Sequence, residues 1–104
     1  AKQGEPMSRT TFISRMTVKP GREQDFVDAC NELTAKVQAD EPGVIYYEFF
    51  KLREPRRYAV LESFPTEEME HAHMNSAWLA AIGPRIVDCL DGTWEREYLD
   101  PFKA

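Results

Sequence analysis

The stretch Gly43-Val44-Ile45-Tyr46-Tyr47-Glu48-Phe49-Phe50 and the stretch Tyr58-Ala59-Val60-Leu61-Glu62-Ser63-Phe64 predict the two strands of a β-hairpin. Residues 53–56 between them combine charge with a proline, which is typical of a turn. Side chains along a strand alternate between the two faces of a sheet, and both stretches carry apolar residues at successive positions. One layer of helices covers only one face, so the second apolar face needs another cover, most simply a second copy of the chain. We therefore expect half of a shared barrel.

Periodicity along the rest of the chain predicts the other elements. Residues 10–18 alternate as a strand does before Lys19-Pro20-Gly21, and Phe26, Cys30, Leu33 and Val37 form one helical stripe. Thr66 is a candidate N-cap for a short helix that carries His71 and His73. A longer helix is expected over residues 76–90, with Gly83-Pro84 inside it and Gly92 at its end, and a strand over residues 93–99. The order βαββαβ predicts an α+β, ferredoxin-like antiparallel sheet with the helices on one face.

Length, charge and cysteine content limit the classes of function. The chain has 104 residues and a net charge of -5 with both signs scattered, so nucleic acid and anionic membranes are not expected partners. We expect one domain over residues 10–104 after a flexible tail of residues 1–9, in which Met7 is a candidate start. No stretch is long and apolar enough for a bilayer, and no secretory signal is evident, so a cytoplasmic location is expected. Cys30 and Cys89 fall on apolar helix faces, which favours free structural thiols over a redox pair.

Several short motifs together resemble the antibiotic biosynthesis monooxygenase family, whose members form dimeric α/β barrels. Taken in chain order, these motifs are Val18-Lys19-Pro20-Gly21, Glu41-Pro42-Gly43 with Tyr47, Tyr58 to Phe64 with Glu62, and His73-Met74-Asn75-Ser76 followed by Trp78. The resemblance implies a homodimer that forms through the sheet face and has one apolar cavity per subunit.

The resemblance also implies an activity, namely a small monooxygenase that acts on a quinol-like or polycyclic aromatic substrate with dioxygen. An electron-rich hydroquinone or anthrone can itself pass an electron to dioxygen, so no cofactor is expected. Neither a phosphate loop, a CxxC pair nor an HExxH pair is present in the sequence. The alternatives are a non-catalytic ligand-binding or accessory domain of the same fold and an isomerase of a small phosphorylated sugar. The isomerase would require cationic groups in the cavity, for which Arg15, Arg85 and Arg96 are candidates.

His73 and Glu62 are the candidate catalytic residues. A histidine titrates near neutral pH and could take a phenolic proton or bond an oxyanion, although His73 could equally be structural. Glu62 is an acidic residue in an otherwise apolar strand and is either a base or half of an ion pair with Arg15 or Arg96. His71 lies two positions from His73 and should face solvent, so a two-histidine metal site is not expected.

Four further residues are candidates for substrate binding. Tyr47 could direct its hydroxyl into the cavity, and Phe64 and Trp78 could form aromatic walls, although all three could be plain core. The amide of Asn75 could bond a carbonyl, or it could cap the helix that follows. Phe64 stands where many relatives have a tryptophan, and His73 and Gly83 stand where haem-degrading relatives have a tryptophan and an axial histidine. The difference at Phe64 keeps an aromatic wall but removes an indole N–H donor, and the differences at His73 and Gly83 disfavour haem degradation.

Overall fold

The computed structural model describes residues 9–102, and residues 1–8 of the predicted tail lie outside the described residues. Seven elements follow one another in the order βαββααβ. They are β1 (Thr10–Thr17), α1 (Glu23–Asp40), β2 (Tyr46–Lys51), β3 (Arg57–Phe64), α2 (Glu67–Met74), α3 (Ala77–Asp88) and β4 (Glu95–Tyr98). The predicted order is confirmed, with the second helical region divided into α2 and α3 between Met74 and Ala77.

The four strands form one antiparallel sheet in the order β2-β3-β1-β4. In β1 the helix-facing positions are Phe12, Ser14 and Met16, which lie opposite Glu62, Val60 and Tyr58 of β3. On the other side of β1, Ser14 lies opposite Arg96 of β4 and Phe12 lies opposite Tyr98. This ferredoxin-like α+β arrangement is the predicted fold class.

The helices begin where the sequence provides caps and bury the stripes that their periodicity predicts. In α1 the buried positions include Phe26, Cys30, Leu33 and Val37. The Thr66 side chain accepts a hydrogen bond from the Met69 N–H at the start of α2, as predicted. Among the residues that the structure describes, no helix combines the length and the apolarity needed to cross a bilayer.

The end of α3 and the extent of β4 differ from the sequence prediction. Helix α3 ends at Asp88 instead of residue 90, because Leu90 forms an isolated bridge with Val18 and the Lys19 N–H bonds the Cys89 carbonyl. Gly92, at φ 93°, therefore belongs to the turn before β4 and does not cap the helix. Strand β4 covers only Glu95–Tyr98, which leaves Trp94 outside it.

The face of the sheet that points away from the helices is less apolar than the hairpin sequence predicts. Its centre is apolar, with Ile13 directly opposite Leu61 and Phe50 opposite Ala59. Around this centre the side chains are polar and bond one another, as in the pair Arg15–Glu97 at 2.9 Å. We call this side of the sheet the outer face.

Candidate active site

An apolar cavity of about 220 Å³ lies between the helix-facing side of the sheet and helices α2 and α3. Its wall comes mostly from aliphatic, aromatic and thioether side chains of the sheet and helices. They include Met16, Tyr47, Phe49, Val60, Leu33, Leu79, Ile86 and Leu90. Three exposed apolar side chains, Met74, Val87 and Trp94, also line it. The cavity thus offers an apolar environment with an apolar edge at the protein surface.

Four polar side chains interrupt this apolar lining: Ser14, Glu62, His73 and Arg96. The sheet supplies three of them, from the helix-facing positions of β1, β3 and β4. Helix α2 supplies the fourth, His73, one residue before the helix ends. The polar groups therefore approach the cavity from the sheet and from α2.

His73 is buried, and one of its two ring nitrogens has a hydrogen-bond partner. Its Nδ1 lies 2.8 Å from Glu41 Oε2, and its Nε2 lies 3.6 Å from Glu62 Oε1. The ring packs between Tyr47 and Phe64, with centroid distances of 5.3 and 5.4 Å. When the Glu41 carboxylate accepts from Nδ1–H, the neutral imidazole leaves a lone pair on Nε2, on the side where Glu62 lies. This is the orientation that a general base requires.

Glu41 lies just after α1 and connects His73 to Trp78. Besides its contact with His73, Oε2 accepts a hydrogen bond from Trp78 Nε1 at 2.6 Å. The loop that carries Glu41 lies close to α2, and a Cβ on Gly43 would meet the terminal methyl group of the flexible Met69 side chain.

Glu62 is buried, and burial is the main reason that its pKa rises from 4.5 to about 8. Arg96 opposes the rise, whereas Glu70 and Glu41 add to it. At neutral pH the protonated carboxyl predominates, so Glu62 is a hydrogen-bond donor there rather than a base. The same burial raises the pKa of Tyr47, so its phenol stays protonated.

Arg96, and not Arg15, is the arginine beside Glu62. Arg15 points to the outer face and pairs with Glu97, because it lies one position out of phase with the helix-facing residues of β1. The Arg96 guanidinium lies 4.0 Å from the centroid of the Phe12 ring and 3.5 Å from Glu70 Oε2. These two contacts hold its charge close to the cavity.

Comparisons with known proteins identify the family of the chain. The family model described as antibiotic biosynthesis monooxygenase matches residues 11–83. The chain belongs to this family. Among curated proteins, no sequence matches it significantly.

Solved structures share the fold of this family member over almost its whole length. The "putative antibiotic biosynthesis monooxygenase" from Caulobacter crescentus CB15 is 25% identical, with a TM-score of 0.88 over 94% of this chain and 93% of that one. A conserved protein from Methanosarcina mazei Go1 is 26% identical, with a TM-score of 0.81 over 91% and 94%. A Bacteroides thetaiotaomicron VPI-5482 protein described as "Possible Oxidoreductase" is 21% identical, has a TM-score of 0.78 over 89% and 99%, and supports the fold alone.

In this antibiotic biosynthesis monooxygenase family member, three of the six predicted site residues line the cavity. These are His73, Glu62 and Tyr47. Phe64 and Trp78 lie one layer behind them: Phe64 packs against the His73 ring, and Trp78 bonds Glu41. They contact the proposed base or its partner, and neither is among the cavity-lining residues.

Asn75 neither lines the cavity nor caps the helix that follows it. Its Nδ2 donates to the His71 carbonyl at 2.9 Å, so it closes the C-terminus of α2. Ser76 is the residue that caps α3, with its hydroxyl accepting from the Leu79 N–H. The cap lies one position later than the sequence suggested, because α2 continues to Met74 and uses Asn75 for its own last carbonyls.

The sequence interpretation assigned no site role to three residues that the structure brings to the cavity or its base. Ser14 is the polar position in the alternation of Phe12, Ser14 and Met16, which is a readable signal for a polar group inside the barrel half. Glu41 belongs to a motif of the family resemblance, but nothing local indicated its role, because its partners His73 and Trp78 are 32 and 37 residues away. Trp94 was assigned to a strand that does not include it.

Metal ligation requires donor atoms that converge on one point. Within residues 9–102, no three His, Cys, Asp or Glu side chains are grouped so that they could hold a metal ion. Glu41 and Glu62 approach different nitrogens of the His73 ring, so their oxygens do not converge on one point.

Proposed function

We propose that this protein is a monooxygenase that oxidises a small quinol-like aromatic substrate with dioxygen. One observation carries the proposal: a buried histidine is held by a carboxylate at Nδ1, while its Nε2 faces Glu62 at the polar part of an apolar cavity. Membership of the antibiotic biosynthesis monooxygenase family supports the same reaction class.

The proposed reaction begins when His73 Nε2 takes the proton of an aromatic hydroxyl. The resulting arenolate gives one electron to dioxygen, and the aryloxyl radical and superoxide combine through a new C–O bond at a ring carbon that carries hydrogen. The peroxide takes back the proton from His73. Loss of the C–H proton and cleavage of the O–O bond then release water and leave a carbonyl, so the substrate supplies all four electrons and the proposal needs no cofactor.

The cavity dimensions favour the smaller substrates of this class. Pockets for drug-sized ligands span roughly 300–1,000 Å³, and the cavity here has about 220 Å³. A ligand of one or two fused rings therefore fits the cavity better than a three-ring anthrone, whose third ring would extend toward the exposed side chains of Trp94 and Val87.

Oxygen uptake by metal-free protein tests the reaction. The substrates are naphthohydroquinones and anthrones, and the key variant is His73→Gln, which keeps a polar side chain of similar size. Loss of a general base should lower the rate about 100-fold or more. His71→Gln is the matched control, because His71 is the second histidine of the chain and is exposed on the same helix.

An unchanged rate in His73→Gln would remove that residue from the mechanism. Uptake no faster than the spontaneous rate across the panel would favour the ligand-binding or accessory domain instead. The sugar-phosphate isomerase has less support, because Arg15 lies on the outer face and Arg85 pairs with Glu32 on the surface. Only Arg96 of the three candidate arginines lines the cavity.

We also propose that two copies associate through the outer face. The support is its apolar centre, where Tyr46 and Phe50 are each 39% exposed and Ile13 and Leu61 lie side by side. Light scattering at micromolar concentration should give the mass of a dimer, and Leu61→Lys should give a monomer. Val87→Lys, which changes an exposed apolar residue at the cavity, should remain dimeric. A monomeric native protein would refute this association.

A further inference from the structure

We propose that Ser14, Arg96 and Glu62 form an oxygen-binding subsite that holds the hydroxyl or arenolate oxygen of a one- or two-ring hydroxyarene. The inference rests on the proposed function and adds the substrate feature that the cavity selects. It assigns recognition to the sheet and leaves proton transfer to His73 on α2.

Unpaired polar atoms are the first observation. In the part of the chain that the structure describes, three buried side-chain polar atoms lack a hydrogen-bond partner: Ser14 Oγ, Glu62 Oε1 and Arg96 Nε. All three residues line the same cavity. Ser14 and Glu62 are 3% and 6% exposed, so bulk water does not reach them freely. Buried polar atoms are almost always paired in native proteins, and three exceptions around one cavity indicate that a ligand supplies the missing partner.

The sheet register is the second observation, because it places the three groups on one patch. Ser14 and Arg96 are directly opposite each other on β1 and β4. On the other side of β1, Ser14 lies opposite Val60 of β3. Glu62 is the next helix-facing residue of β3 after Val60. Directly opposite side chains in an antiparallel pair begin about 5 Å apart, and diagonal ones about 7–8 Å. A single oxygen-bearing edge of a small ring can reach all three.

The chemistry of the three atoms defines what they can hold. Arg96 Nε–H can only donate, and the Ser14 hydroxyl can donate or accept. Because burial raises its pKa to about 8, the Glu62 carboxyl also carries a proton to donate at neutral pH. An oxygen with developing negative charge is the natural acceptor for such donors.

Arg96 is oriented before any ligand arrives. Its guanidinium lies over the Phe12 ring and contacts Glu70, which is itself buried. Because Glu70 already offsets the arginine charge, the subsite suits one oxygen with partial or single negative charge and not a phosphate dianion. The apolar side chains of Leu79 and Ile86 on α3 and of Phe49 on β2 suit the hydrocarbon part of the ring.

Anaerobic binding of 1-naphthol and naphthalene tests the subsite without turnover. The native protein should bind 1-naphthol at least about tenfold more tightly than naphthalene, as one or two charge-assisted hydrogen bonds would give. Ser14→Ala and Arg96→Lys should each reduce that preference to about threefold or less, mainly by weakening 1-naphthol. The lysine retains a charge for Glu70 but has no donor at the Nε position.

Two matched controls separate the subsite from general effects. Ser63→Ala removes a hydroxyl that is equally buried but bonds Thr11 on the outer face, and Arg15→Lys changes the outer-face arginine. Neither should alter the preference. Melting temperatures should confirm that Ser14→Ala is at least as stable as the native protein, since it removes an unpaired buried hydroxyl.

Failure of the subsite and failure of the proposed function give different results. A preference that is absent, or that survives in both Ser14→Ala and Arg96→Lys, overturns the subsite even if oxygen uptake depends on His73. A preference that both variants abolish supports the subsite even if no substrate of the panel consumes oxygen.

Discussion

The two faces of the sheet use polar residues in opposite ways. On the outer face, polar side chains bond one another: Arg15 bonds Glu97, and Thr11 bonds Ser63. On the helix-facing side, Ser14, Glu62 and Arg96 each present an atom that has no partner among the described residues. The strands are the same, and successive residues of one strand belong to the two different patterns.

This difference separates a face suited to association with another surface from a face suited to ligand recognition. The outer-face pairs satisfy their own hydrogen bonds and surround an apolar centre, which suits association with a second flat surface. The inner groups lie beside a cavity and are incompletely satisfied, which suits an internal ligand. Three experiments would test how far the two faces differ.

The largest difference in the free energy of unfolding is expected between truncations of two neighbouring residues on opposite faces of the sheet. Phe12 is fully buried and packs against Phe64 and Tyr98, so Phe12→Ala should lower the free energy of unfolding by roughly 3–5 kcal/mol. Ile13 is half-buried on the outer face of the single chain, so Ile13→Ala should cost only about 1 kcal/mol in a monomer, and association through this face should raise that cost. Urea unfolding at one fixed protein concentration measures both. Equal losses would mean that the outer face is as well covered as the inner one.

The second effect concerns pH and Glu62. The folded protein holds the Glu62 proton up to about pH 8, whereas an ordinary carboxyl loses it near 4.5, so this group makes native stability decrease as pH rises between those values. Glu62→Gln, which resembles the protonated form, should therefore match the native protein near pH 4. It should be more stable at pH 9, by an amount whose upper limit is roughly 5 kcal/mol.

Melting temperatures across this pH range measure the difference between the two proteins. Glu68→Gln is the control for the loss of one negative charge, because Glu68 is exposed on α2. A Glu62→Gln protein that is less stable than the native protein at pH 9 would show that the ionised Glu62 is well paired.

The smallest change in the free energy of unfolding is expected from removing one partner of the Arg15–Glu97 pair on the outer face. Arg15 and Glu97 are 39% and 62% exposed, so Arg15→Ala should change the free energy of unfolding by less than about 1 kcal/mol. A double-mutant cycle with Glu97→Ala isolates the pair from other effects of each truncation. A coupling of several kcal/mol would indicate that a partner covers this pair and removes it from water.

The sequence was sufficient for the order of the elements because local patterns determine them. The α1 stripe and the Thr66 cap are short-range signals, and both are found where they were predicted. The end of α3 was predicted less well, since the bridge between Leu90 and Val18 joins positions far apart in the chain. Boundaries that depend on such long-range contacts leave little trace in local periodicity.

The candidate site was predictable only where strand alternation applies. Glu62 and Tyr47 lie on the helix-facing side of the sheet, and the same period of two places Ser14 and Arg96 on that side. It carried no information on Glu41, which lies in the loop after α1 and meets His73 only in the folded chain. The partner that orients a candidate base was therefore the part least accessible from the sequence.

The positions of the two tryptophans, Trp78 and Trp94, make the native chain its own optical reporter. The indole of Trp78 donates to the carboxylate that holds His73, whereas Trp94 lines the cavity with much of its ring in solvent. Emission from a Trp94→Phe protein would thus follow the electrostatic state of the Glu41–His73 pair alone. Emission from a Trp78→Phe protein would follow ligand entry, so a label-free stopped-flow experiment could time the two events separately.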